Sequence, residues 1–382
     1  MNDFVAYNPV KLFFGKNSIE KLPAELLKYG NKALILTGKG SVRKYGYFQE
    51  ITNLLSQSGI EYVEYSGIKP NPVVEDAEKA VELAKQENID MIIALGGGSV
   101  IDTAKLVSIA YPSDQNVWKL MKRTSEPIKN VPLFVVLTLA ATGTEMNAAA
   151  VLQNHQTQEK IGLFHPLMYP KASFLNPNYT LSVPKNQTIN GIIDLIAHSL
   201  EAYFADGNAP LSDRLAVANI LEAMDYAPAL LKNLHNYELR SRMMWNATIA
   251  ENGTTMHGRS VTGDWGTHAL AHHISLLWDT PHGQTLSIVF PAWMKVLKNE
   301  ISQRILNLGK LLTGNEKISI EETINIFEEF FRSIDAPLSM EAIGLGEKKH
   351  KEKLLKLWKK NKPTGLHIQL NDKHYEKIIE LI

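Results

Sequence analysis

Residues 89–102 read IDMIIALGGGSVID, an apolar run followed by three glycines, a serine and a second apolar run. The first part, residues 89–95, is short, rich in isoleucine and bounded by glycine, which favours a buried strand over a helix. The glycines form a tight connection, and a helix is predicted to begin at about Val100. A strand, a glycine turn and a helix in direct succession are typical of a parallel sheet covered by helices.

The same alternation extends on both sides of this stretch. Strand-like segments occupy residues 32–37, 60–65 and 131–139, and helical patterns occupy residues 19–28, 47–58 and 74–87. After about residue 183 almost every segment is helix-periodic. We therefore predict an α/β fold with a Rossmann-like parallel-sheet domain over residues 1–183 and an all-α domain over residues 184–382. An apolar segment at residues 4–14, broken by Asn8-Pro9, predicts a short hairpin.

Composition narrows the functional class. The chain has 382 residues, 45% of them hydrophobic, and a formal net charge of zero, so no basic surface argues for nucleic acid. It has no apolar run approaching the roughly 18 residues of a membrane span, and its first residues do not resemble a signal peptide. The absence of cysteine excludes disulfides, thiolate metal sites and cysteine nucleophiles. We expect a cytoplasmic enzyme of two domains.

Three loops at predicted strand ends carry glycine or hydroxyl groups. Residues 96–99 (GGGS) precede a helix whose N-terminus can bind phosphate, and Asp102 lies one turn further on. Residues 38–41 (GKGS) begin a dinucleotide fingerprint, but Arg43 stands where its third glycine belongs. Residues 138–144 (TLAATGT) form the third loop. Ligands of parallel sheets bind at these strand ends, although tight or capped turns remain alternatives.

Histidines and one aspartate point to a metal. Asp194 and His198 are four residues apart in an otherwise apolar helical segment, and His268 and His272 repeat that spacing in residues 261–284, which also contain His282. Burying a carboxylate among isoleucines costs several kcal/mol unless the carboxylate is paired or bound to metal. We predict one divalent-metal site from two segments, with a simple Asp194–His198 ion pair as the alternative. The pattern lacks the HExxH arrangement of metallohydrolases.

Six segments together carry a family resemblance: YNPVKLFFGK (7–16), KPNP (69–72), GGGSVID (96–102), TLAATGTEMN (138–147), NGIIDLIAHSLEAYF (190–204) and DWGTHALAHHISLLWDTPHGQTLSIVFPAWM (264–294). The chain resembles the iron-containing (group III) alcohol dehydrogenase family, in particular its butanol dehydrogenase and broad-range aldehyde reductase branch. This resemblance implies a dehydroquinate synthase-like fold, with a dinucleotide-binding domain, a helical domain and a metal in the cleft between them.

The resemblance also implies residue roles. The positions matching the metal ligands of the family are Asp194, His198, His268 and His282. The positions expected to bind the cofactor are Gly38, Lys39, Gly40, Ser41, Asn71, Gly97, Gly98, Ser99, Asp102, Thr138, Thr142, Asn147 and Lys160. His272 matches a histidine near the nicotinamide and is our candidate catalytic residue, as a proton relay, with packing beside the metal as the alternative. Asn176 departs from the aspartate usual in the family.

The activity implied is hydride transfer between NAD(P)H and small aliphatic aldehydes or primary alcohols. An Fe²⁺ or Zn²⁺ ion would polarise the carbonyl or alkoxide oxygen. Residues 38–41 contain no acid to repel a 2′-phosphate, and Lys39, Arg43 and Lys44 are basic, so we expect NADP(H) to be preferred, with NAD(H) as the alternative. We expect a homodimer with small-molecule substrates, without nucleic-acid or membrane partners.

Related activities fit less well. A dehydroquinate synthase would need basic residues for a phosphorylated acid, and only Arg259 lies near residues 261–284 in the sequence. Glycerol dehydrogenase lacks the set of one carboxylate and three histidines, so His198 argues against it. A non-enzymatic metal- or nucleotide-binding regulator would not oxidise NAD(P)H with butyraldehyde, and that assay separates the two possibilities.

Overall fold

A computed structural model of the protein describes residues 1–382. The chain forms two compact units: one contains Tyr7–Val183 and Leu234–Thr248, and the other contains Met1–Ala6, Pro184–Asn233 and Ile249–Ile382. One border therefore lies between Val183 and Pro184. None of the helices has the length and apolar character needed to cross a membrane.

The segment Leu234–Thr248 belongs to the sheet-bearing unit although it follows residue 183, which the sequence did not indicate. Two hydrogen bonds explain its place. The buried Arg240 guanidinium donates to the Val183 carbonyl at 2.8 Å, and the Thr248 hydroxyl donates to the Glu145 carboxylate at 2.6 Å. These groups are buried, so each would be costly to leave without a partner.

The sheet-bearing unit contains eight strands: β1 (Lys11–Phe14), β2 (Lys32–Gly38), β3 (Glu61–Ile68), β4 (Met91–Gly96), β5 (Leu133–Leu137), β6 (Ala149–Asn154), β7 (Glu159–Phe164) and β8 (Ala172–Leu175). Six of them form one sheet in the order β1-β8-β5-β4-β2-β3, and every adjacent pair is parallel. β6 and β7 form a separate antiparallel hairpin. The predicted Rossmann-like parallel sheet is confirmed.

Helices surround this sheet: α1 (Leu22–Leu26), α2 (Ser41–Lys44), α3 (Tyr47–Gln57), α4 (Val74–Glu87), α5 (Gly98–Ser113) and α6 (Val117–Met121). β4 and β5 are buried along their whole length, which explains their uninterrupted apolar sequences. On one face, Ile51 and Leu55 of α3 join Ile35 and Ile93 of the sheet in a single buried cluster.

The strand order places a topological switch between β2 and β4. From β2 the chain continues to β3 on one side, and it then returns to add β4 on the other side of β2. Crevices at such points, outside the carboxyl ends of the strands, are where open α/β sheets bind ligands. The loops at residues 38–41 and 96–99 follow β2 and β4, so both glycine-containing loops lie at this switch point.

The predicted N-terminal hairpin is wrong. Residues before Lys11 form no strand, and β1 pairs in parallel with β8 instead. Asn8 holds the preceding segment, because its side chain donates to the Met146 carbonyl at 2.8 Å and accepts from the Val10 amide at 3.1 Å. Side-chain bonding of this kind competes with a hairpin ladder. The homodimer expected partly from that hairpin stays a prediction.

The remaining helices are α7 (Lys185–Phe204), α8 (Pro210–Lys232), α9 (Tyr237–Glu251), α10 (Gly266–Trp278), α11 (His282–Leu297), α12 (Ser302–Thr313), α13 (Ile320–Ser333), α14 (Lys348–Asn361) and α15 (Asp372–Leu381). The chain after Val183 forms no strand, as predicted. α7 is buried on all sides from Gly191 to Phe204, which explains its apolar composition and makes its polar side chains informative.

α11 begins against the backbone of α7. A Cβ atom at Gly283 would lie 2.4 Å from the Asn190 carbonyl oxygen and 2.6 Å from its Cα, so only glycine fits there. The side chains at the start of α11 are therefore held close to those in the middle of α7.

Candidate functional site

Two polar side chains face one another in the apolar middle of α7. Asp194 is 4% exposed and His198 is 7% exposed, and the Asp194 Oδ1 atom lies 3.8 Å from the His198 Nδ1 atom. Their spacing of four residues places them on one helix face. Burial, and then the charge of His268, lower the pKa of His198 well below its ordinary value. His198 is therefore neutral at physiological pH, which is the form that binds metals.

α10 and α11 bring two more imidazoles to the same carboxylate. The Nε2 atoms of His268 and His282 lie 3.9 Å and 3.7 Å from the Asp194 Oδ1 atom. The ligating atoms of these three residues all lie within 4.8 Å of one another. The His198 ring stacks on the His268 ring with centroids 4.7 Å apart. The structure thus brings Asp194, His268 and His282 together as a possible metal site, with His198 beside them, and the ligand roles of all four stay predictions.

The geometry of this cluster fits a divalent ion. Distances of 3.7–3.9 Å between nitrogen and oxygen exceed the hydrogen-bond range. Ligands at about 2.0–2.2 Å from one tetrahedral ion are separated by roughly 3.4 Å, which is close to these values. One carboxylate and three imidazoles are donors suited to Fe²⁺ or Zn²⁺. A simple Asp194–His198 ion pair would leave the convergence of His268 and His282 unexplained.

Glu201 holds the His268 ring in orientation. Its Oε1 atom accepts from the His268 Nδ1 atom at 2.8 Å, from the His268 amide at 3.1 Å and from the Thr267 hydroxyl. Its Oε2 atom accepts from the Trp265 amide at 2.5 Å. With a proton on Nδ1, His268 presents an unprotonated Nε2 towards Asp194.

Glu201 lies seven residues after Asp194, on the same face of α7, and is 1% exposed. Burial raises its pKa to about 7, although hydrogen bonds from Thr267, His268 and Trp265 oppose the shift. The sequence analysis missed this residue. Its i, i+7 spacing in a helix that is otherwise apolar was the available indication.

The stretch before α10 is held by a second buried carboxylate. Asp264 accepts hydrogen bonds from the amides of Ile368, His367 and Gly266 at 2.6, 3.1 and 3.2 Å. Burial and the charge of Glu201 raise the pKa of Asp264 to about 6. The next residue, Trp265, has a left-handed φ of 66°.

A left-handed conformation is costly for a bulky residue and persists only where surrounding contacts impose it. Here it turns the Trp265 indole towards the candidate metal ligands His198 and His268. The centroid of the indole lies 5.9 Å from that of the His198 ring and 5.3 Å from that of the His268 ring, with the rings steeply inclined to one another.

The two other histidines of α10 differ in their surroundings. His272 is 9% exposed, and its ring centroid lies 5.2 Å from that of His282. His272 therefore lies beside the candidate metal ligands, and its proposed role as a proton relay stays a prediction. His273 instead contacts the Ala269 carbonyl at 2.9 Å and the Asn361 side chain at 3.1 Å, which accords with a structural role.

Replacing Glu201 by glutamine is expected to lower the affinity for a divalent ion about 10- to 100-fold, the usual cost of disturbing a group that orients a metal ligand. The amide retains one acceptor for His268 but turns an NH₂ group towards the Trp265 amide. Competition with a chromophoric chelator measures the change. The exposed Glu380→Gln variant of α15 is the control. Equal affinity of the Glu201 variant and the native protein would contradict the orienting role.

In the sheet-bearing unit, the loop at residues 96–99 is closely packed. A Cβ atom at Gly98 would lie 2.8 Å from the Thr142 side chain, and one at Gly97 would lie 3.2 Å from Leu139. The glycines therefore let the loop at residues 138–142 approach the N-terminus of α5. Close packing therefore explains part of the need for glycine here, as the tight-turn alternative supposed. The N-terminus of the helix also provides amide groups suited to phosphate.

Two further predicted cofactor residues meet beside this loop. The buried Lys160 of β7 donates from Nζ to the Asn71 Oδ1 atom at 2.9 Å, and the Ser99 hydroxyl donates to the Pro70 carbonyl. Gly38 ends β2 close by, since a Cβ atom there would lie 3.8 Å from the Val100 side chain on α5. Lys39 and Ser41 are exposed, next to Gly40, whose φ of 121° favours glycine.

Asp102 is directed into the protein. Its carboxylate accepts from the Thr144 hydroxyl at 2.8 Å and from the Val151 amide at 2.9 Å, and burial raises its pKa, although Lys105 opposes the shift. The wholly buried Lys105 donates to Thr144, Asn147 and Ala149 at 2.7–2.8 Å. Sequence reasoning missed Lys105. The predicted cofactor contacts of Asp102 and Asn147, like those of Thr138, stay predictions.

Comparisons with known proteins cover the whole of this architecture. Residues 9–177 match the family model "Iron-containing alcohol dehydrogenase", and residues 188–381 match "Fe-containing alcohol dehydrogenase family, C-terminal". The chain is 37% identical over 345 residues to the probable NADH-dependent butanol dehydrogenase 1 of Bacillus subtilis, covering 88% of each chain. It is 33% identical over 353 residues to the NADPH-dependent aldehyde reductase YqhD of Escherichia coli, covering 90% of each.

A solved structure is similar over the full length. The crystal structure of NADH-dependent butanol dehydrogenase A from Thermotoga maritima superposes with a TM-score of 0.94 at 36% identity, covering 100% of this chain and 98% of that one. These findings confirm the resemblance inferred from the six segments and the predicted fold class. The chain therefore belongs to the iron-containing alcohol dehydrogenase family.

Proposed function

We propose that this protein is a metal-dependent alcohol dehydrogenase and aldehyde reductase that transfers a hydride between NAD(P)H and small aliphatic aldehydes or primary alcohols. The observation that carries the proposal is the convergence of three imidazoles on the buried Asp194 carboxylate, at 3.7–3.9 Å. Relatives named as butanol dehydrogenases and as an aldehyde reductase support the substrate class.

Asp194, His198, His268 and His282 would hold the ion. When bound, the ion would act as a Lewis acid towards the substrate oxygen. Asp194 contributes the negative charge of the set, and Glu201 keeps the His268 Nε2 atom available for binding. The Trp265 indole packs against the His198 and His268 rings.

The loops after β2, β4 and β5 would bind the dinucleotide. The amides at the N-terminus of α5 suit its phosphates, and Lys160 and Asn71 lie beside them. When bound, the nicotinamide would supply or accept the hydride, and the protein would orient it. His272 would exchange a proton with the substrate oxygen, and its position next to His282 supports this role.

We infer a preference for NADP(H), supported by the exposed basic side chains of Lys39, Arg43 and Lys44 and by the absence of an acid in residues 38–41. Fe²⁺ is the expected ion, with Zn²⁺ as the alternative, since the donor set suits both. A homodimer and a cytoplasmic location complete the proposal. The lack of cysteine supports that location, because such a chain needs no oxidising compartment.

The test is a panel of aldehydes from acetaldehyde to octanal, assayed with NADPH and NADH after anaerobic loading with Fe²⁺ or Zn²⁺. We expect oxidation of NADPH with kcat/KM at least about tenfold above that of NADH, and loss of activity on chelation, restored by adding the ion back. A clear NADH preference would overturn the cofactor proposal. The absence of oxidation with either ion would overturn the activity.

A further inference from the structure

An acidic side chain lies beside the basic loop that follows β2, although residues 38–41 themselves contain no acid. Glu64 of β3 pairs with Arg43 of α2, and its other carboxylate oxygen accepts from the Thr37 hydroxyl at 2.9 Å. Thr37 is 2% exposed and is the residue before Gly38, at the end of β2. β3 thus places a carboxylate next to the carboxyl end of β2.

Arg43 is held on two sides. Besides the Glu64 carboxylate, its guanidinium carbon lies 3.9 Å from the centroid of the Phe48 ring on α3. The Arg43 side chain remains 53% exposed, whereas that of Glu64 is 17% exposed. The positive charge at this position is therefore oriented and largely neutralised, and part of the guanidinium faces solvent.

The position of this pair suggests its function. In dinucleotide-binding sheets an acid beside the adenosine ribose favours the 2′-hydroxyl, and an arginine there accommodates the 2′-phosphate. Under the proposed function, the loop after β2 binds this part of the cofactor. Here both charges occur together. Glu64 lies on β3, which is parallel to β2, and Arg43 lies on α2, the helix that follows β2. Because the two charges have opposite effects on a 2′-phosphate, a change of either side chain should alter the preference for NADPH over NADH.

We propose that Glu64 limits the discrimination between NADPH and NADH by pairing with Arg43, so that it is a specificity-determining residue outside the GKGS loop. This inference rests on the proposed nicotinamide-dependent activity. In the native protein Lys39 and the exposed part of Arg43 attract the 2′-phosphate, and the Glu64 carboxylate repels it. Removing that one negative charge strengthens NADPH binding and leaves NADH binding nearly unchanged.

The decisive variant is Glu64→Gln, which retains an acceptor for the Thr37 hydroxyl. We expect its ratio of kcat/KM for NADPH over NADH to rise about five- to tenfold, the effect of one unit charge several ångströms from a phosphate in a partly hydrated site. Arg43→Gln is expected to lower the ratio by a similar factor. Both effects should shrink as ionic strength rises.

Glu61→Gln is the matched control. It removes a negative charge from the same strand, but Glu61 lies opposite Lys32 in the sheet register, at the other end of β2 from Gly38. Affinities for NADPH and NADH, measured by fluorescence titration in every variant, provide a second readout that needs no turnover. Thermal melting of each variant shows that it is folded.

The native protein and the variants answer different questions. If the native protein neither binds nor oxidises either nicotinamide cofactor, the proposed function fails, and this inference fails with it. If the native protein uses the cofactors but Glu64→Gln leaves the ratio unchanged or lowers it, only the present inference is overturned. A rise confined to Glu64→Gln, absent from Glu61→Gln, supports it.

Discussion

Replacement of Asp194 by asparagine is expected to reduce the affinity for the divalent ion by about a thousandfold or more and to abolish NAD(P)H oxidation. Asp194 is the single anionic member of the cluster, and its Oδ1 atom is the point on which three imidazoles converge. A neutral amide of the same size keeps the shape of the site but removes the negative charge that attracts and binds a divalent cation. Metal content after dialysis and chelator competition measure the loss.

Folding must be separated from binding in this experiment. Burying an amide in α7 costs no more than burying a carboxylate, so the metal-free variant should melt within a few degrees of the metal-free native protein. The exposed Asp225→Asn variant of α8 is the control for loss of an acidic side chain. A variant that is folded and still binds the ion with native affinity would remove Asp194 from the ligand set.

Replacement of Gly283 by alanine is expected to lower the free energy of unfolding by about 3 kcal/mol and the melting temperature by about 6–12 °C. The new Cβ atom would lie 2.4–2.8 Å from the carbonyl oxygen, Cα and carbonyl carbon of Asn190. These are backbone atoms, so no side chain can rotate away, and α11 must shift from α7. Since His282 is the preceding residue, metal affinity should fall as well.

Gly162→Ala provides the matched comparison. A Cβ atom at Gly162 of β7 would meet its nearest neighbour, the Val151 side chain, at an ordinary 3.8 Å. That variant should stay within about 0.5 kcal/mol of the native protein, as surface substitutions usually do. If Gly283→Ala melts like Gly162→Ala and retains its metal affinity, the close contact between α7 and α11 does not position the site.

The parts of the fold that could be predicted are those with strong periodicity. The apolar run ending at Leu95 and the GGGS turn gave the strand and helix now seen as β4 and α5, and the change to helical patterns after Val183 was also found. The hairpin of β6 and β7 was missed, because Gly162 and several polar residues interrupt its alternation. The N-terminal hairpin was predicted in error, since aromatic and β-branched residues resemble a strand wherever they occur.

The candidate site divides in a similar way. Asp194 and the histidines could be recognised because a charged group in an apolar helix needs an explanation from its neighbours. Glu201, Lys105 and Glu64 were not recognised, since each acts through a partner far away in the sequence: His268, Thr144 and Arg43. A single sequence shows the type of a side chain, but it does not show which distant hydrogen-bond donor or acceptor the fold brings to it.

The left-handed turn at Trp265 has a practical consequence. It fixes an indole whose centroid lies 5.3–5.9 Å from the centroids of the His198 and His268 rings. Excited-state quenching by a paramagnetic ion is effective over such short ranges. The protein thus carries an optical probe of its own: since it has six tryptophans, iron binding is expected to quench the part of its ultraviolet emission that a Trp265→Phe variant lacks.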